Sequence, residues 1–152
     1  MTREELQELI LSKVSDAQVL PNKQFLDVLV PVDKFKELAT FLKDSENTAF
    51  DYLFNLTGVD WGQELMVVYH LKSTKHNHYV VLKQKTADRE NPVVDTVADL
   101  WITAEWHERE AFDLLGIVFK KHPDMRRLFL DEDWEGYPLR KDYTDEINII
   151  ER

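Results

Sequence analysis

Residues 64–86 read ELMVVYHLKSTKHNHYVVLKQKT, and this stretch decides the fold class. Two runs rich in valine, leucine and tyrosine, at 64–72 and 78–86, flank the polar turn Ser73 to Asn77. β-Branched and aromatic residues suit a pleated, half-buried surface, and a short polar break between two such runs closes a hairpin. The spacing predicts an antiparallel pair.

Working outward, 50–57 has the same character and is cut off by Gly58 and Gly62, so it reads as a third strand. Phe25 to Val30 is a short apolar run closed by Pro31, after which Val32, Phe35, Leu38, Ala39 and Leu42 recur with a helical period. Thr2 with Glu5 three residues on forms a capping box before Leu6, Leu9, Ile10 and Val14, predicting a helix over 3–14. Downstream, Thr96 to Asp99 resembles a second capping signal. Apolar residues then fall at 97, 100, 101, 104, 111, 112 and 115 until Gly116 supplies a stop, predicting a helix broken near Thr103. The expected class is α+β: a mixed or antiparallel sheet covered by helices. It occupies 1–119 and is followed by an extended irregular carboxy-terminal segment over 120–152.

Composition narrows the function. The 152 residues are 43% hydrophobic and 11% aromatic, enough for one core, and the formal charge of −10 repels phosphate backbones. Nucleic acid is therefore not expected as a partner. No run approaches the roughly 18 apolar residues of a spanning helix, and the start Met1-Thr2-Arg3-Glu4-Glu5 lacks the order of a signal peptide. A cytoplasmic protein that meets a membrane only through partners is expected, with no direct insertion. The absence of cysteine rules out a disulfide, an all-cysteine iron–sulfur cluster and a thiol nucleophile.

From Lys120 to Tyr143 no period holds, Pro123 and Pro138 interrupt hydrogen-bonding ladders, and Met125, Phe129, Trp134 and Tyr137 alternate with Arg126, Arg127 and Arg140. Such a segment is too apolar for a linker. It either folds back on its own domain or docks on a neighbour, and aromatics mixed with arginine favour docking. Just upstream, the stripe 97, 100, 101, 104 continues onto Glu108 and puts a carboxylate on the apolar face. Buried, it must meet a cation or titrate with a raised pKa. Arg126, Arg127 and Arg140 are candidate partners for Glu108, Glu110 or Asp113. Glu108 or Asp113 could serve an enzyme as acid or base, but no nucleophile is visibly paired with them, so ion pairing is the preferred role.

Metal and nucleotide motifs fail. His107-Glu108-Arg109-Glu110-Ala111 lacks the second histidine of a zinc helix, and His70, His76 and His78 have no carboxylate or thiol beside them, which leaves a solvated hairpin end. The four glycines make no phosphate loop.

Taken together, Glu108-Arg109-Glu110, Asp113, Gly116-Ile117, Phe119, His122-Pro123-Asp124, Arg126-Arg127, Gly136 and Pro138-Leu139-Arg140-Lys141-Asp142 resemble the signature of the thirty-kilodalton, or C, subunit of NADH:quinone oxidoreductase. Leu56-Thr57-Gly58-Val59-Asp60 before the strand ending Val67-Val68-Tyr69-His70 extends the likeness. Two departures stand out: Met125 where leucine is usual, and Tyr143-Thr144-Asp145 in place of the family's continuation.

The resemblance implies a non-catalytic α+β subunit in the hydrophilic arm of a proton-translocating complex, peripheral on the cytoplasmic side of the inner membrane. It would be bound to the large quinone-site subunit and to other subunits of that arm, with the carboxy-terminal segment across the quinone-site neighbour. It also implies that the chain holds no cofactor, the FMN, iron–sulfur clusters and quinone lying in partner subunits. The signature positions are then interface or structural residues. Membrane-bound hydrogenase-type complexes share this signature, and a free-standing metal or carboxylate enzyme is the reading from another class.

Overall fold

The computed structural model describes residues 1–145 and 147. Helix α1 (Arg3–Lys13) starts at the expected capping box: Thr2 accepts from the Glu5 N–H while the Glu5 carboxylate accepts from the Thr2 N–H at 2.7 Å. Strands β1 (Gln18–Leu20) and β2 (Leu26–Leu29) follow, then helix α2 (Val32–Asp44), β3 (Tyr52–Asp60), β4 (Leu65–Ser73), β5 (His78–Lys85), β6 (Val93–Asp95), helix α3 (Ala104–Leu115) and β7 (Val118–Lys120).

Five strands form one sheet in the order β1-β2-β5-β4-β3, and β6 pairs with β7 in a separate parallel pair. The β4–β5 hairpin is antiparallel as its sequence predicts, with Val67 opposite Gln84 and Tyr69 opposite Leu82. The class is α+β with a mixed sheet, since β2 runs parallel to β5.

Side chains alternate along each strand, so one face of β4 carries Leu65, Val67, Tyr69 and Leu71. These join Leu6 and Ile10 of α1, Phe35, Leu38 and Leu42 of α2, and Ala111 and Leu115 of α3 in a single core. The other face holds a smaller cluster of Met66, Val68 and Val81 with Phe25, Leu29 and Val59 against it. Among the described residues, no helix is long and apolar enough to cross a membrane.

One local expectation needs correction. β3 does not end before Gly58 but runs through it to Asp60, because α3 packs so close beneath that a Cβ at 58 would strike the Leu115 side chain. The break expected near Thr103 is found: residues 97–101 make a separate turn in which Trp101 N–H donates to Val97 O, and the regular helix begins after Thr103. The hairpin end is solvent-exposed at His76 and half-buried at His78. Their Nε2 atoms lie 2.8 Å from Glu46 O and 2.9 Å from Thr48 O, tying the hairpin to the loop after α2. The short strands β1, β6 and β7 had no readable signal, each being three residues long.

Candidate docking surface

Helix α3 turns three ionisable side chains inward. Glu108 and Asp113 are fully buried and Arg109 nearly so, interleaved with Ala104, Ala111 and Leu115. Each has a different solution to the cost of burial.

Asp113 organises the tail. Its Oδ2 accepts the N–H groups of Leu128, Phe129 and Leu130 at 3.1, 2.6 and 3.1 Å, and its Oδ1 lies 3.1 Å from Arg127 Nη1. Burial alone would push this carboxyl up; the Phe129, Leu130 and Leu128 N–H groups and the Arg127 guanidinium hold it below the ordinary aspartate value. Arg127 also donates to Asp113 O, Trp134 O and Gly136 O. Arg109 reaches across to Arg126 O and Arg127 O, and Arg140 donates to Leu115 O at 2.7 Å with Tyr137 beneath it. The tail from 120 therefore lies against its own domain, held through buried arginines and backbone carbonyls. A loop can be irregular and still ordered when its backbone groups find such partners.

Glu108, expected either to meet a cation or to titrate with a raised pKa, takes the second course. Its Oε1 accepts Val97 N–H at 2.7 Å and its Oε2 accepts the Thr96 hydroxyl at 2.5 Å, which fastens the turn after β6 to α3. The buried His122 ring stands 3.8 Å away, with its Nε2 2.9 Å from Glu105 O and its Nδ1 accepting Asp124 N–H. Without a cation in contact, burial pushes the Glu108 carboxyl up to about 7 against the pull of the Thr96 and Val97 bonds. Pro123 lies between His122 and Asp124 in this turn.

The glycines of the signature have steric reasons. Gly116 caps α3 at φ +75°, and a Cβ there would meet the Tyr137 ring at 2.6 Å. Gly136, at φ +83°, lies against Tyr143. Pro138 leads into Leu139, whose N–H donates to Leu114 O. Farther on, Lys141 N–H donates to Asp60 Oδ2 at 2.8 Å, and Asp142 lies 3.1 Å from Arg89, which also grips Asp60 with both Nη atoms. Asp60 was quoted in the family likeness without a role, and its partner Arg89, 29 residues away in a polar loop, is an anchor that sequence reasoning missed.

What remains outward is a set of large side chains on α3 and the tail. Ile102 is 80% exposed, Trp106 56%, Phe129 65% and Leu139 60%. Glu110 lies among them, exposed and in no ion pair among the described residues, while Arg126 pairs only with Asp124 at 2.5 Å. Among the described residues, no three His, Asp or Glu side chains converge on a point that could hold a metal ion. The arrangement offers aromatic and aliphatic contact area with few charges, which suits a protein neighbour.

A NADH-quinone oxidoreductase C/D subunit of Phocaeicola vulgatus is 48% identical over 122 residues, covering 80% of this chain and 23% of that protein. A NADH-quinone oxidoreductase C subunit of Chloroherpeton thalassium is 46% identical over 132 residues, covering 86% of this chain and 54% of its relative. Another C subunit, from Chlorobium phaeobacteroides, is 42% identical over 121 residues and is matched over 72% of its length. The chain thus spans about half the length of the Chloroherpeton relative and less than a quarter of the C/D one. Among solved structures, a chain of the membrane-bound sulfane sulfur reductase, an archaeal respiratory membrane complex, superposes with a TM-score of 0.77 at 29% identity, over 93% of this chain and 85% of that one. A family model described as "Respiratory-chain NADH dehydrogenase, 30 Kd subunit" matches residues 28–147, and the chain belongs to that family.

Proposed function

We propose that this chain is the thirty-kilodalton subunit of a proton-translocating NADH:quinone oxidoreductase, a non-catalytic scaffold in the hydrophilic arm on the cytoplasmic side of the membrane, and that it docks on the large quinone-site subunit. The observation that carries the reading is the naming of relatives as C/D subunits, in which a domain like this one is part of a longer polypeptide. A tether of that kind raises the effective concentration of two domains that must meet. In this reading FMN, iron–sulfur clusters and quinone belong to partner subunits, consistent with a chain that has no cysteine for a cluster.

The signature divides into two roles. Arg109, Asp113, Gly116, His122, Pro123, Arg127, Gly136, Pro138, Arg140, Lys141 and Asp142 hold the tail in shape, and Glu108 fastens the turn after β6 to α3. Glu110, Arg126, Leu139 and the neighbouring Trp106 and Phe129 face the partner. Residues 1–119 are then the domain, and 120–152 the segment it presents. Co-expression with the matching quinone-site subunit tests this. A stable binary complex is expected, and a chain that stays alone in the presence of that partner would contradict it.

The similarity to the sulfane sulfur reductase chain favours a second reading, the equivalent subunit of a respiratory membrane complex with another electron donor or acceptor. The neighbouring reading frames separate the two, since a flavin-binding NADH-oxidising subunit belongs only to the first.

A further inference from the structure

The five-stranded sheet is apolar on both faces, and helices cover one of them. Residues of α1, α2 and α3 pack with Leu65, Val67, Tyr69 and Leu71, whereas the cluster on the other face draws on none of the helices. Antiparallel sheets commonly pack one face and keep the other polar. Here Met66, Val68 and Val81, all buried, sit on neighbouring strands of the uncovered face, with Phe25, Leu29 and Val59 against them.

Around this centre the aromatic rings are continuous. Between ring centroids, Phe54 lies 6.2 Å from Tyr52, 5.6 Å from His70 and 6.1 Å from Tyr79, and Phe25 reaches His70 and Tyr79 at 6.2 and 6.0 Å. Tyr52, Phe54, Tyr79 and, beyond Val59, Trp61 are exposed. Where β2 and β5 end, a pocket of about 300 Å³ opens between Leu29, Pro31, Lys85 and Ala87, large enough to take an anchoring side chain from a neighbour. A contiguous apolar patch of this extent marks an interaction site. At about 4.8 Å between strands and about 3.4 Å per residue, the face measures about 500 Å² in projection, of the same order as the about 800 Å² that each partner buries in a standard interface.

The charges on the face select its occupant. Lys83 pairs with Asp27 and Lys85 with Glu64, both at 2.7 Å, while Lys72 stands 5.1 Å over Tyr79 with no ion-pair partner among the described residues. Three lysines against two carboxylates leave the face net positive, in a chain whose formal charge is −10. A second copy would bring another −10 to the contact and, in a two-fold arrangement, a second unpaired lysine. A neighbour with a carboxylate would satisfy Lys72. The face also lies across the sheet from α3, so a partner that covers Trp106, Phe129 and Leu139 leaves it open.

We infer that the uncovered face of the five-stranded sheet docks a second partner polypeptide, a subunit other than the quinone-site one, through an apolar surface with a carboxylate opposite Lys72. The inference rests on the proposed function, in which the chain sits inside a larger complex. Hydroxyl-radical footprinting tests it on the chain alone, on its binary complex with the quinone-site subunit and on the purified whole complex. Oxidation of Tyr52, Phe54, Trp61 and Tyr79 falls about tenfold or more in the whole complex and stays at the level of the isolated chain in the binary one. Lys72→Glu binds the quinone-site subunit as the wild type does and enters the whole complex at about a tenth of its level or less. If the four side chains are oxidised in the whole complex as in the isolated chain, or Lys72→Glu is incorporated like the wild type, the inference is overturned while docking on the quinone-site subunit stands. Protection already complete in the binary complex, or growing with concentration in the chain alone, assigns the face to the quinone-site subunit or to a second copy and overturns it too. A chain absent from the whole complex removes the proposed function and this inference with it.

Discussion

Arg127 and Asp113 meet at 3.1 Å with both side chains almost wholly withdrawn from solvent, and each is tied a second time to the tail backbone. The pair is the point where helix α3 and the irregular segment become one structure. Removing either partner leaves a buried charge and several backbone groups unsatisfied.

Asp113→Ala is expected to destabilise the isolated chain by about 3–5 kcal/mol, the usual cost of orphaning a buried charge. Urea unfolding followed by tryptophan fluorescence measures it, and a loss of less than about 1 kcal/mol would show that the tail is not held through this carboxylate.

Glu108 gives the chain a pH dependence of the opposite sign to an ordinary ion-paired acid. Its carboxyl is raised from 4.5 to about 7 in the folded state, chiefly by burial. Stability tied to it is fully present below the unfolded value and is lost as pH rises through the folded one, by at most about 3 kcal/mol. Thermal unfolding of Glu108→Gln across about pH 5 to 8 should show a flatter profile than the wild type. Parallel profiles would place the titration elsewhere. Asp113, lowered in the fold, acts on the acid side, its contribution fading as pH falls below 3.8 through its folded value.

Gly116 and Gly62 separate strain from collision. Both have positive φ, but a Cβ at 62 meets nothing within 4 Å whereas one at 116 meets Tyr137. Gly62→Ala should cost about 1 kcal/mol from the backbone conformation alone. Gly116→Ala should cost at least about 2 kcal/mol more. Equal costs would show that Tyr137 moves aside freely.

Arg126 and Arg140 should part company. Arg126 is exposed and its side chain bonds only Asp124, so Arg126→Ala leaves the unfolding midpoint of the isolated chain unchanged and shows its effect in binding to the quinone-site subunit. Arg140 donates to Leu115 O and stacks on Tyr137, so Arg140→Ala lowers the midpoint before any partner is added. Midpoints that fall equally would assign both residues to the fold.

Much of the architecture was legible because it is written in local periodicity. The capping box at Thr2, the helix after Pro31, the β4–β5 hairpin and the stop at Gly116 each rest on spacings within one element, and all four are found. Glu108 on the apolar face was legible for the same reason. The three-residue strands were not, because a run that short has no period.

The tail marks the boundary between the two kinds of information. Residue order alone showed that the segment after Lys120 keeps no helical or strand period and is too apolar for a solvated linker, and its motif pointed to the family. Only the tertiary structure decided where its charges go. Arg127 finds Asp113, Arg109 finds two tail carbonyls, and Glu108 finds Thr96 and Val97 and no arginine. The reason is physical: a buried charge is satisfied by whatever donor the packing of α3 brings within about 3 Å, and that depends on how three distant segments come together, which no spacing along the chain records.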